Sequence, residues 1–513
     1  MMQRLMVFLN TYKWVGDVLA LIAGGFLVFA FAPFNLFPLA ILSQMILFGL
    51  WRGVTVGRAF WRGWLYGLGM FGGGVHWLYI SLAQFGGIDT TTAIIINGLF
   101  VMGMALYPAI LGAIILKTFP ICNRVRVLLA LPAGWVLLEW TRSWFLTGFP
   151  WLLLGYSQID APLSGLAPIG GVYAVSWAVS FTAGLILYGI LRGRKGKIAW
   201  ISLAFLWVSS TLLSYVDWTR PLDKPVKVAL LQGNTSNETK FIGEFAPQII
   251  NDYLALSSEH QNVDIIIWPE TAIPKYYHQV QSVIDEITQR SQIQHIDFVI
   301  GIPLKEHNQY YNAVWVAGER GGFYQKRHLV PFGEFIPFRG LVKAILGDID
   351  IPMSDFSEGA VEQPQLQAKQ NSLGISICYE DAFNWEIRRA MPTATLLVNL
   401  SNDGWFGDSI APHQHLQIAR MRALEMGRYL LRATNTGISA IINQKGQVVL
   451  KSPQFEISVI KGQAQTFDGG TPFSLSGNIP LLVLMFFCIL IAVILHYYWY
   501  PSHHPRLNSS NEI

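Results

Sequence analysis

Asp264-Ile265-Ile266-Ile267-Trp268-Pro269-Glu270 sets four apolar side chains in a row between an aspartate and a proline. A half-buried strand alternates polar and apolar residues, whereas a short unbroken apolar run bounded by turn signals reads as a strand covered on both faces. Pro269 closes the run. Glu270 is therefore delivered at the C-terminal end of a fully buried strand.

The neighbouring segments extend this reading. Val226 to Gln232 is a second strand pattern, followed by a Gly-Asn-Thr turn and a helical run at about 243–258. A helix at about 279–292 and a strand at 297–303 repeat the unit. Further strands are expected at about 311–318, 321–329, 372–378, 394–401, 436–443 and 446–451, with helices at about 383–391 and 411–431. Strands alternating with helices predict an α/β domain with mixed sheets and helices outside, spanning residues 217–476.

Both flanks of that domain are different in kind. The chain of 513 residues is 52% hydrophobic and only 13% charged, with a mean hydropathy of +0.38, too apolar for an ordinary soluble protein. Runs long enough to cross a bilayer, about 20 residues each, fall at roughly 16–32, 37–51, 63–84, 91–116, 125–146, 166–191, 198–216 and 478–500. The prediction is an integral membrane helix bundle of about eight helices, seven in residues 1–216 and one in 477–513. No small-residue cleavage site separates the first run from the second, so the first is expected to stay in the protein. Basic residues mark alternate loops: Arg52, Arg58 and Arg62; then Lys117, Arg124 and Arg126; then Arg192, Arg194, Lys195 and Lys197. By the positive-inside rule those loops and both termini are cytoplasmic, and residues 217–476 are extracytoplasmic.

Composition also excludes several roles. A net charge of +4, spread in short clusters, does not suit nucleic acid. Cys122, Cys378 and Cys488 form no CxxC pair and no metal-ligand cluster, so neither a zinc site nor a disulfide framework is indicated. Glu139 and Arg142, at the outer end of the fifth run among Trp140, Trp144, Phe145, Phe149 and Trp151, are read as an interfacial ion pair in an aromatic belt.

Within the polar domain, three strand ends carry complementary chemistry. Glu270 follows the strand just described, Lys326 stands in Y-Q-K-R-H-L-V-P-F-G-E-F, and Cys378 stands in G-I-S-I-C-Y-E-D (374–381) at a strand-to-helix turn. A carboxylate takes a thiol proton, an ammonium stabilises thiolate and oxyanion, and a thiolate attacks acyl carbon. Taken singly, each is more often a packing or surface residue.

The order W-P-E-T, then Lys with a downstream Gly-Glu, then C-Y-E-D resembles the nitrilase superfamily. The membrane helices narrow the resemblance to the family of apolipoprotein N-acyltransferases, through L-T-G-F-P-W (146–151), G-Y-S-Q (155–158), L-Q-G-N (231–234), H-L-V-P-F-G-E-F-I-P (328–337), S-N-D-G-W-F-G (401–407) and P-H-Q-H-L-Q-I-A-R-M-R-A-L-E (412–425). The resemblance implies an αββα sandwich with Glu270 as general base, Lys326 as stabiliser and Cys378 as nucleophile. Glu334 resembles the family's second active-site carboxylate, Tyr379 and Glu380 match flanking positions, and Phe241 stands where a Trp is common. The backbone N–H after Cys378 is expected to help bind the oxyanion.

The implied reaction is a two-step acyl transfer. An acyl chain passes from a phospholipid, phosphatidylethanolamine in this family, to Cys378 as a thioester, and then to the α-amine of a diacylglyceryl-modified N-terminal cysteine of an apolipoprotein. No cofactor is implied, and the bacterial inner membrane is the implied location, with the catalytic domain on the periplasmic side. A membrane-tethered amidase would use the same three residues; the membrane motifs favour transfer. A transporter or scaffold with a degenerate domain fits poorly, since the spans hold few ionisable residues. Residues 337–371, with Leu341, Val342, Ile345, Leu346, Ile351 and Met353, read equally as a lid or as a packed loop.

Overall fold

The computed structural model describes residues 12–499 except 223, 338–339 and 341–354. It divides into two units, one comprising residues up to 76, 96–216 and from 478, the other 77–95 and 217–477.

Helices of the first unit occupy all eight expected windows: α1 (Lys13–Leu27), α2 (Pro38–Leu50), α3 (Val56–Gly74), α4 (Thr90–Thr118), α5 (Leu131–Arg142), α6 (Ala167–Arg192), α7 (Lys197–Leu213) and, beyond the polar domain, Ile479–Ile494. Among the described residues, four segments are long and apolar enough to cross a membrane: Lys13–Ala30, Thr90–Thr118, Pro162–Leu213, which contains both α6 and α7, and Ile479–Tyr498. Large apolar side chains such as Leu99 and Ile114 on α4, or Phe486 and Phe487 on the last helix, point outward, which suits lipid rather than water.

Two expectations are corrected here. The run at 63–84 is not one helix, because α3 ends at Gly74 after three consecutive glycines, the poorest interior helix formers after proline. A separate turn over Leu78–Ile80 follows, and residues 77–95 belong to the second unit. Glu139 and Arg142, both buried, bond to the following loop rather than to each other: Glu139 accepts from Leu154 N at 2.8 Å, and also from Trp135 Nε1 of its own helix at 2.9 Å, and Arg142 donates to Phe149 O at 2.7 Å. Folded-back backbone, with its unpaired N–H and carbonyl groups, needs these partners more than the two side chains need one another.

The second unit holds β1 (Thr219–Pro221), β2 (Val226–Gln232), β3 (Ile265–Trp268), β4 (Asp297–Glu306), β5 (Gln309–Ala317), β6 (Gly322–Gln325), β7 (Gln367–Ala368), β8 (Asn371–Ile377), β9 (Leu396–Ser401), β10 (Leu430–Thr434), β11 (Ala440–Ile442), β12 (Val448–Lys451), β13 (Ser458–Ala464) and β14 (Phe467–Gly469). They form two six-stranded sheets, ordered β13-β2-β3-β4-β5-β6 and β12-β11-β10-β9-β8-β7, plus the ribbon β1-β14. In each large sheet the central strands are parallel, β2-β3-β4 and β8-β9-β10, with antiparallel strands outside.

The run that opened the sequence analysis shows how the layers stack. Ile265 and Ile267 of β3 enter a core shared with Ile375, Ile377, Val398 and Leu431 of the other sheet. Ile266 and Trp268 face the opposite way, onto Ile249, Tyr253, Ile284 and Ile287 of α8 (Ala246–Ser258) and α9 (Gln281–Gln294). The second sheet is covered likewise by Leu416, Ala419 and Ala423 of α10 (Ala411–Met426). The result is the α-β-β-α layering expected, with β3 apolar on both faces because both are covered. Each fully buried Ile contributes about 1.5–3 kcal/mol.

The strand β10 replaces the end of the helix expected at 411–431. Gly427, at φ 64°, ends α10 at Met426 in the left-handed conformation that glycine adopts without cost. Of the segment 337–371, read equally as a lid or as a packed loop, 338–339 and 341–354, with Leu341, Val342, Ile345, Leu346, Ile351 and Met353, lie outside the described residues. Further along the segment, Phe356 N donates to Glu334 O at 3.1 Å, and Gly359 N to Lys326 O at 2.8 Å.

Candidate active site

Glu270 lies two residues past β3, in a turn where Thr271 takes φ 49°. Gly301 of β4 packs against this turn so closely that a Cβ would stand 2.6 Å from Thr271 N and 2.7 Å from Glu270 Cα. Lys326 follows β6 directly, its N–H donating to Asn312 O at 2.8 Å. Sequence reading ran that strand to about 329; the structure ends it at Gln325, which frees Lys326 from the ladder. Lys326 is 1% exposed. Its Nζ is 2.7 Å from Glu334 Oε2 and 3.7 Å from Glu270 Oε1.

One further residue joins these carboxylates. Asn312 of β5 donates from Nδ2 to Glu270 Oε1 and to Glu334 Oε1, each at 2.7 Å. Glu334 Oε2 also accepts from Val330 N at 2.8 Å. Glu270 Oε2 has no hydrogen-bond partner among the described residues. That oxygen is the one available to take a proton. Burial works against the Lys326 ammonium, but Glu334 and then Glu270 outweigh it and raise its pKa, so it stays charged.

Cys378 is on the other sheet. It follows β8 and opens the turn Cys378–Ala382, as the sequence suggested, and its own φ is 49°. A non-glycine residue in that region costs on the order of 1–3 kcal/mol and persists only where its surroundings hold it. Those surroundings are visible. Glu380 Oε2 accepts from Ile377 N at 2.7 Å, while Oε1 accepts from Arg327 N at 2.7 Å and His328 N at 3.2 Å. Tyr324 OH donates to both oxygens of Glu380. One carboxylate thus fastens the Cys378 turn to the residues after Lys326. Burial raises the pKa of Glu380 to about 7.

Behind the turn lies a second cluster, absent from the sequence reading. His415 Nδ1 is 2.8 Å from Asp403 Oδ1, and its Nε2 is 2.9 Å from Asp381 Oδ1 and 3.3 Å from Cys378 O. Arg432 reaches Asp381 Oδ2 at 3.1 Å, Asp403 Oδ2 at 3.0 Å and Asn399 Oδ1 at 2.6 Å. Burial and Arg432 oppose protonation of His415, yet Asp381 and Asp403 raise its pKa to about 9. Arg432 Nη2 is also 2.8 Å from His415 Nδ1, so the ring and the guanidinium share the two aspartates in one enclosed cluster.

Tyr379 is half-buried, its ring edge-on to Phe383 at 4.9 Å and beside His328 at 5.9 Å. Phe241 stacks on Trp405 at 5.9 Å, so the position holds an aromatic pair without an indole N–H from residue 241. The structure brings Glu270, Lys326 and Glu334 into direct contact, and Cys378 into their electrostatic field: burial pushes the thiol well up, Glu270 adds to this, and Lys326 opposes it. Lys240, Asn312, Asp381, Asp403, His415 and Arg432 were not singled out from sequence. Among the described residues no group of His, Cys, Asp and Glu is arranged to hold a metal ion.

The family model for the apolipoprotein N-acyltransferase N-terminal domain matches residues 23–185, and that for carbon-nitrogen hydrolase matches residues 227–466. An apolipoprotein N-acyltransferase of Methylococcus capsulatus is 43% identical over 471 residues, 91% of this chain and 94% of its own length. The chain belongs to the apolipoprotein N-acyltransferase family. Members from Pseudomonas putida and Coxiella burnetii are each 38% identical, over 92% and 93% of this chain and 95% and 99% of their own. The similarity therefore runs through the membrane helices and the two sheets alike, and a carbon-nitrogen hydrolase domain on its own describes only part of this acyltransferase family's chain.

Proposed function

We propose that the chain transfers an acyl group from a phospholipid to the α-amine of the N-terminal diacylglyceryl-cysteine of apolipoproteins, with Cys378 carrying the acyl group as a thioester. Glu270 takes the thiol proton on Oε2 and sulfur attacks the ester carbonyl. Lys326 stabilises the charge that passes to the carbonyl oxygen. Collapse breaks the ester C–O bond, and the glyceryl oxygen leaves with the proton from Glu270. In the second half the amine attacks the thioester carbonyl, Glu270 takes the amine's proton, and sulfur is released and reprotonated.

The observation that carries this reading is a base with one oxygen left unpaired, beside an ammonium held charged by a second carboxylate, in a family of acyltransferases. Phosphatidylethanolamine is the donor proposed, and the bacterial inner membrane the location. The division of labour proposed is a membrane part at 1–216 and 477–513, with about eight spanning helices, and a catalytic part at 217–476. The basic residues clustered between alternate apolar runs support a periplasmic placement of the catalytic part, although the structure puts Arg58 and Arg62 in the first turns of α3, and Arg126 and Arg192 in helical segments, rather than in loops.

Intact-mass analysis after incubation with phosphatidylethanolamine tests the reading. Wild type is expected to gain an acyl-sized increment that Cys378→Ser does not. An unmodified wild type that hydrolyses a small amide would replace transfer with amidase chemistry.

A further inference from the structure

Lys240 closes the short helical turn Asn237–Lys240, which Ser236 caps by accepting from Glu238 N at 3.2 Å. The side chain is 1% exposed. Its Nζ donates to the backbone carbonyl of Glu270 at 2.9 Å, and this is the one hydrogen bond it makes among the described residues. An ammonium has three N–H groups, so two have no protein acceptor. The ionisable groups that act on it are Glu270, past the end of β3, and Cys378, at the end of β8.

Charge balance in the enclosed site gives this residue a task. With both carboxyl groups ionised, Glu270, Glu334 and Lys326 sum to two negative charges and one positive. When the thiol proton moves to Glu270, the negative charge moves to sulfur and the excess of one remains. The same excess then resides on the carbonyl oxygen of the tetrahedral intermediate. An uncompensated charge in a buried site is strongly unfavourable.

We propose that Lys240 is the second cation of the active site, the counter-charge that allows the Cys378 sulfur, and then the carbonyl oxygen, to become negative. It sits beside the base without neutralising it, because its bond goes to the Glu270 backbone rather than to the carboxylate. Burial lowers its pKa to about 8, with Glu270 and then Cys378 opposing the fall. Lys326, held charged by two carboxylates, does not lose its proton in that range. The two lysines therefore differ in what alkali does to them: Lys240 is charged below about pH 8 and loses that charge as pH rises through it.

The inference rests on Cys378 as the acyl carrier. The test uses the full chain in detergent, following acyl-enzyme formation from phosphatidylethanolamine by intact mass between pH 6 and 10. Wild type is expected to slow as pH rises through about 8. K240R, whose guanidinium does not deprotonate, is expected to retain activity to within about tenfold with that alkaline fall moved up by at least one pH unit. K240M is expected to be about 100-fold slower at pH 7, without the fall. A K240R protein whose alkaline limb coincides with that of wild type overturns the proposal, and does so even if K240M fails to fold. A K240M protein that acylates within threefold of wild type overturns it too. Acylation of Cys378→Ser would instead remove the acyl carrier itself, a separate failure.

Discussion

His415→Gln tests whether the cluster behind the Cys378 turn holds a buried cation. Glutamine can still hydrogen-bond but carries no charge, leaving Asp381 and Asp403 with Arg432 alone. The wild-type imidazole rises from an ordinary 6.5 to about 9 on folding. Each tenfold change in proton affinity is worth about 1.4 kcal/mol, so the protonated ring contributes roughly 3 kcal/mol. The sign follows from the direction of the rise. The contribution is fully present below pH 6.5, where the ring is charged in both folded and unfolded chains, and it is lost as pH rises through about 9. Thermal unfolding of both proteins in the same detergent at pH 6, 8 and 10 gives the readout. The difference between them cancels groups that titrate alike in both. Wild type is expected to lead by several degrees in Tm at pH 6 and to lose most of that lead by pH 10. A lead that stays constant across the range would refute a charged His415. The variant also loses the ring nitrogen 3.3 Å from Cys378 O, and its acyl-enzyme formation is expected to slow at every pH.

Other substitutions probe the same geometry. Gly301→Ala places a methyl group against Pro269 O and Glu270 Cα; overpacking of this kind costs about 1–3 kcal/mol, and steady-state kinetics is expected to show kcat falling more than KM rises. Asn312→Leu conserves size but removes both donors that join Glu270 to Glu334. Hydrogen bonds to charged groups are worth about 1.5–3 kcal/mol, so acyl-enzyme formation is expected to slow about 10- to 100-fold, with the acyl increment still on Cys378 in peptide mass spectra.

The layered fold was legible wherever a local pattern determined it. Ile265 to Trp268 is apolar without interruption because β3 is covered on both sides, and no distant information was needed. The end of α10 was legible too, in Gly427, but the apolar Leu430 and Leu431 were read as continuing the helix when they begin β10. The α3 boundary was overrun in the same way: hydropathy continues past Gly74 while helix propensity does not. Glu270, Lys326 and Cys378 could be picked out because W-P-E-T, the lysine with its downstream Gly-Glu and C-Y-E-D stand in an order that resembles a known family; singly each read as a packing or surface residue. The residues that were missed share a different property. Lys240 meets Glu270 across 30 positions, Asn312 meets it across 42, and Arg432 meets Asp381 across 51. A charged side chain reads as a surface residue until its partner is known, and these partners are adjacent only once the sheet that carries both has formed.

The two-sheet arrangement bears on how the chemistry responds to its surroundings. Glu270 and Lys326 ride on one sheet and the Cys378 sulfur on the other, so their separation is a thickness, set by how Ile265 and Ile267 mesh with Ile375 and Ile377. Side chains remote from any substrate then act as a caliper. Trimming Ile267 to valine would leave every strand in register yet alter turnover, and pressure or temperature, which act on packed interiors through volume, would reach the reaction by the same path. Rate measurements under pressure thereby become a gauge of the core.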